Sequence, residues 1–228
     1  MKPGKIALLK ALTGVVAIFL TTGSEGFIRY SAAPIAAQVV DTETGEPISQ
    51  VVVLAHWELR GGEHGQSKGE LMIFETKTDN DGRFSFPGWG PKTVWDPDAR
   101  LWNADPAMTL LKQGYEPRTV LNGQSVGPID TTKSLRTSRW DGKRIELRSL
   151  HGDNRAAAHG LFLGEIRNLV GSGKDCEWKE MPLTVAYLLH EGQRLRSLGL
   201  DVYVFDPRSF ANQSRCGSAV QWAEGLPK

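Results

Sequence analysis

Apolar positions in this chain repeat with a period of two as far as about Leu150 and with a period near 3.6 beyond it, so strands are expected first and helices after. Residues 37–40 are a short apolar run of strand type. Asp41, Thr44, Gly45 and Pro47 end it: Asp and Thr bond their own backbone in turns, Gly accepts positive φ, and Pro cannot donate to a central ladder. Residues 48–57 form the next strand, and Val51, Val52 and Val53 are apolar on both faces, which predicts burial between two layers. A polar, glycine-rich loop is expected over residues 60–69, with His64 solvated in it. A strand over 71–78 then meets the hairpin signal Asp79-Asn80-Asp81-Gly82, and Phe84 and Phe86 alternate with Ser85 onto one face. Residues 108–112 read as a strand, and Ile145 and Leu147 alternate as a last edge strand. Between Phe86 and Met108 the pattern lapses, and residues 87–106 read as a long connection carrying Trp89, Trp95 and Trp102. A second polar connection, residues 122–143, carries Trp140.

After Leu150 one helix is expected over residues 154–170, capped by Asp153 and stopped by Gly171 and Gly173. Pro182 opens another, with Val185, Leu188, Leu189 and Leu195 as its apolar stripe and Gly199 closing it. Residues 202–205 read as a short strand and residues 219–223 as a last helical turn. At the other end, Lys2, Lys5 and Lys10 precede an apolar run at residues 11–20, the order of a targeting signal. The run falls short of the roughly 20 residues that span a bilayer, unless it extends back to residue 6 as an anchor. Residues 1–33 are therefore read as a signal peptide, or an N-terminal membrane anchor, plus a tether. The expected location is the periplasm or cell envelope, with membrane contact only through that segment.

The opening strands and turns carry a resemblance. Val40-Asp41, Thr44-Gly45 and Pro47-Ile48, followed by Thr76, Thr78-Asp79, Asp81-Gly82 and Phe84, resemble the carboxypeptidase regulatory-like domain. Gly114-Tyr115 is similar to that family's late Gly-Tyr turn, and Phe86-Pro87-Gly88-Trp89 resembles a subgroup of exported bacterial proteins without an assigned activity. The resemblance covers residues 34–121 and the strand at 145–147. It implies a mainly β, transthyretin-like Greek-key β-sandwich over residues 34–150, to which residues 151–228 add a helical C-terminal extension. It implies no activity, because a fold hosts many functions.

Composition narrows the chemistry. At 228 residues the chain suits one main domain with a smaller addition, and its net charge of +1 offers no basic patch for nucleic acid. Cys176 and Cys216 are the two cysteines, and in an exported chain they are expected to pair as a disulfide; two buried free thiols are the competing reading. Neither has a metal-ligand spacing, and the HExxH and SxxK motifs are absent, so no metal and no cofactor is expected. Gly171-Ser172-Gly173-Lys174 lacks the first Gly and the final Ser or Thr of a phosphate loop. Trp89, Trp95, Trp102 and Trp140 are the candidate binding residues, either as an aromatic contact face or as indoles that close the core. Asp96, Asp98 and Asp105 are the carboxylates a hydrolase would need. The resulting expectation is a non-enzymatic envelope module that binds an unknown envelope protein or ligand. The alternatives are a structural accessory domain, or a hydrolase using the carboxylates of the Trp-rich loop.

Overall fold

Strand β3, Val52–Gly61, lies at the centre of the molecule. Val53, Ala55 and Trp57 enter one hydrophobic core, while Val52 and Leu54 enter a second on its other face. This is the two-sided burial that three consecutive valines predict. The computed structural model describes residues 27–102, 104–122, 134–150, 176–199 and 216–226. The leader, the helix expected over 154–170 and the strand expected over 202–205 lie outside the described residues.

The structure is mainly β. One sheet has the order β4-β3-β8-β9, built from Gln66–Lys77 (β4), β3, Ala107–Leu111 (β8) and Arg118–Leu121 (β9), with the two-residue β7, Arg100–Leu101, also pairing β3. A second has the order β11-β2-β5: Arg144–Leu147 (β11) runs parallel to Ile35–Asp41 (β2), and Arg83–Phe86 (β5) antiparallel to it. A third has the order β10-β1-β6, from Leu135–Arg136 (β10), Ile28–Ala32 (β1) and Trp89–Val94 (β6). The inward residues of the last two sheets, among them Tyr30, Ile35, Val39, Phe84 and Ile145, close the first core against the β3 sheet. The result is a β-sandwich, with β11 on an edge as its alternation predicts.

The far face of the β3 sheet is covered by the C-terminal extension. A short 3-10 helix, Glu177–Glu180, leads into α1, Pro182–Ser197, and α2 spans Ala219–Glu224. Val185, Leu188 and Leu195 of the expected stripe are buried against Val52, Leu54, Ile73 and Leu111. The positive φ of Gly199 lets its amide bond the carbonyl of Arg196 and end α1. Cys176 and Cys216 form a disulfide across a separation of 40 residues, with Cα atoms 5.5 Å apart.

Four expectations change. Residues 28–32, read as part of a tether, are β1. The loop expected over 60–69 is the end of a long β3/β4 hairpin, paired out to Gly61↔Gln66, so only residues 62–65, including His64, turn. Backbone pairing needs no apolar side chain, which is why the polar composition conceals it. Residues 87–106 contain β6 and β7. Finally, Asp79 to Gly82 does form a turn, with Asp79 Oδ1 accepting the amides of Asp81 and Arg83. That turn carries the chain from the β3 sheet to the β2 sheet, so it does not join two paired neighbours. Gly82 is required there: its φ is +69°, and a Cβ would lie 2.4 Å from the Val39 carbonyl oxygen.

Candidate functional site

β1 and β6 run antiparallel with Ile28 opposite Val94, so the next residues outward, Phe27 and Trp95, leave the ladder side by side. Their rings meet edge to face, 4.6 Å between centroids at 62°. Phe27 is 58 % exposed and Trp95 70 %, so the pair is a water-facing apolar ridge. A shallow cleft of about 250 Å³ runs beside it, lined also by Ile28, Val94, Pro97 and Arg100. Arg100 is anchored, its guanidinium donating to the carbonyls of Pro97 and Ala99.

The turn after Trp95 is held by its own acids. Asp96 Oδ1 accepts the Asp98 amide at 2.9 Å, and Asp98 Oδ2 accepts the Gly62 amide at 2.7 Å from the β3/β4 tip. Lys68 bridges both carboxylates, at 3.5 and 3.4 Å. The Asp98 amide, aided by Lys68, holds the Asp96 carboxyl below its ordinary value, and Asp96 in turn pushes the Lys68 ammonium up. These acids fasten the Trp95 turn onto the hairpin.

The four candidate indoles take different places. Trp89, only 8 % exposed, is a core residue, packed edge to face on Trp57 at 5.4 Å. Trp95 is the exposed one. Trp102 is half-buried under the Arg60 guanidinium, 4.0 Å from its ring centroid, while Arg60 Nε donates to Glu58 at 2.6 Å. Trp140 donates its Nε1 hydrogen to the Leu121 carbonyl at 2.9 Å and packs on the first core. Phe27 was not among the candidates. The alternation of Ile28, Tyr30 and Ala32 is the signal that would have placed it at a strand end.

The three candidate carboxylates also separate. Asp96 and Asp98 are exposed, whereas Asp105 is 1 % exposed, and neither of its carboxyl oxygens has a hydrogen-bond partner. Burial pushes its carboxyl up to about 8. The Glu58 amide acts the other way without completing a hydrogen bond; Glu70 and Glu58 add to the rise, and Arg136 opposes it. Nearby, Glu70 Oε2 lies 3.1 Å from His56 Nδ1, and the Glu70 amide donates to Glu177. At neutral pH Asp105 is a protonated, uncharged group in the protein interior, not a partner for Asp96 or Asp98 in a two-carboxylate site. Among the described residues no three of His, Cys, Asp and Glu are placed to hold a metal ion.

No family model matches the chain, and no curated protein does. Among solved structures, 3-chlorocatechol 1,2-dioxygenase from Rhodococcus opacus 1CP is similar over 53 % of this chain and 60 % of its own, at 16 % identity and a TM-score of 0.31. The group B streptococcus pilus 2b backbone protein matches over 52 % and 41 %, at 14 % identity and 0.25. A 9R-lipoxygenase from Cyanothece PCC8801 matches over 57 % and 18 %, at 15 % and 0.29. The chain thus spans about 60 % or less of the length of these three. Likeness at this level says nothing of activity. The expectation that the chain is not an enzyme is nevertheless withdrawn: a dioxygenase and a lipoxygenase stand among the similar structures, and since one fold hosts many functions, a β-sandwich by itself excludes none. The disulfide suits an oxidising compartment, and among the described residues no helix is long and apolar enough to cross a membrane.

Proposed function

We propose that the chain is an exported cell-envelope module, with the transthyretin-like sandwich of the carboxypeptidase regulatory-like domains, that recognises an envelope partner or ligand through the Phe27–Trp95 ridge. The carrying observation is that ridge. Two large rings at adjoining strand ends stay exposed and in contact, although the same chain buries Trp57, Trp89 and Trp178. Exposed aromatic pairs on rigid strand ends are disposed to become the centre of an interface. Support for export comes from the basic-then-apolar order of residues 1–20 and from the disulfide. The ridge begins seven residues after Leu20, so an anchored chain would present it near the membrane surface. A recognition face of this kind is compatible with catalysis elsewhere on the same scaffold.

A photo-crosslinkable phenylalanine placed at position 95 of the full chain in its native cell tests the reading. The expected result is a discrete adduct that disappears when Phe27→Ser is added. Position 43, on a remote exposed turn, serves as the control. Identical adducts from positions 95 and 43, or none from 95, would overturn the proposal.

A further inference from the structure

A cleft of about 210 Å³ lies between the β3 sheet and α1, and it shares no residue with the Phe27–Trp95 ridge. Its apolar floor comes from Val52, Leu111, Leu183 and Ala186. Val52 is paired with Lys77 on one side and with Leu111 on the other, Lys112 follows directly after the end of β8, and both lysines line the cleft within reach of each other's charge. Among the described residues neither lysine forms an ion pair. Of the two acids nearest Lys77 in sequence, Glu75 feels its charge but is taken up by the amides of Leu183 and Thr184, and Asp79 by those of Asp81 and Arg83. Glu191 also lines the cleft but is clamped by two hydrogen bonds from Arg194, at 2.8 and 2.6 Å.

Three further features sit in the same place. Tyr187 lines the cleft, and its hydroxyl is buried without a hydrogen-bond partner. Gln50, on the rim, holds a left-handed φ of 57°, a conformation that a non-glycine residue adopts at a cost. Partial burial, together with the charge of Lys77, lowers the Lys112 ammonium from its ordinary value. Two like charges held together on an apolar floor are an arrangement that an anion relieves.

We infer that this cleft binds a small organic carboxylate, with its carboxylate between Lys77 and Lys112 and its apolar body on the Val52–Leu111 floor. A bare inorganic anion would leave the floor empty, and a neutral ligand would leave the repulsion between Lys77 and Lys112 unrelieved.

Equilibrium dialysis of the full chain against radiolabelled benzoate, with benzamide and inorganic phosphate as competitors, tests the site. Saturable one-to-one benzoate binding is expected, with benzamide and phosphate each competing at least tenfold more weakly. The double variant K77Q/K112Q should bind benzoate at least tenfold more weakly while its denaturant unfolding curve stays in place, since both side chains lie at the surface edge of the cleft. Absence of saturable benzoate binding overturns the inference. So does equal competition by benzamide, which removes the charge requirement, or by phosphate, which removes the apolar one. Undiminished binding by K77Q/K112Q overturns it as well.

Discussion

Trp89 and Trp95 stand six positions apart in one segment and answer to different forces. Trp89 enters the first core on β6, whereas Trp95 is one step past the end of the same strand and faces water. Replacing Trp89 with Ala should cost about 3–5 kcal/mol, the usual range for a buried ring, and Trp95→Ala should move stability by less than about 0.5 kcal/mol. Denaturant unfolding of the two variants checks both values; equal losses would place Trp95 in the core. Asp105 gives a second test at this scale. A carboxyl raised to about 8 in the folded state and near its ordinary value of 3.8 in the unfolded chain means that the folded state binds more protons between those values. Its contribution is therefore fully present below about pH 4 and is lost as pH rises toward 8, at up to about 1.4 kcal/mol per pH unit. Asp105→Asn removes that slope. The variant should match the wild type near pH 4 and exceed it at pH 8; parallel stability curves across this window would contradict the protonated, buried carboxyl. Asp41 shows the opposite case. The amides of Thr44 and Glu43 and the Ser149 hydroxyl converge on its carboxylate and hold it near 2, which is why the opening turn has an Asp at that position.

At the scale of elements, helix α1 depends on a residue from another layer. Met181, at its start, offers no side-chain cap, and Pro182 removes one donor from the first turn. Glu75 on β4 supplies what is missing, accepting the amides of Leu183 and Thr184 and the Thr184 hydroxyl. Burial pushes its carboxyl up, and these bonds pull it back. Glu75→Ala should destabilise the helical layer by about 1–3 kcal/mol, read as faster amide exchange across Pro182–Ser197 than across β2. Unchanged exchange in α1 would mean that the apolar stripe alone docks it. That stripe, the Pro182 start and the Gly199 stop were legible because each is a local signal. The β3 sheet was legible for the same reason: Val51, Val52 and Val53 need no partner to declare burial. β6 was not, since Gly90 and Pro91 break its pattern and its pairing with β1 comes from residues sixty positions earlier. Glu75 as a cap and the Phe27–Trp95 contact are likewise products of tertiary distance. No window of sequence contains both partners.

At the scale of the whole molecule, one sheet serves two cores, and the disulfide closes the outer one. Cys176 precedes the 3-10 helix and Cys216 precedes α2, so the bridge gathers both ends of the helical layer, where Trp178 and Trp222 pack edge to face at 4.7 Å. The layer buries Val52, Leu54, Ile73 and Leu111, so it does not depend on the bridge alone for docking. Opening a loop of 40 residues should cost roughly 4 kcal/mol in the chain-entropy model. The first core shares none of those residues, and its strands β2, β5 and β11 sit in a sheet that the helices do not complete. The double variant C176S/C216S should therefore remain folded but open locally. Amides of α1 should exchange up to roughly a thousandfold faster, the factor that 4 kcal/mol allows, while amides of β2 and β5 keep most of their protection. Hydrogen exchange with peptide resolution separates this from the alternative. If β2 and α1 lose protection by the same factor, the two cores unfold as one unit and the bridge stabilises the entire chain. If neither changes, the apolar face of α1 holds the layer without it.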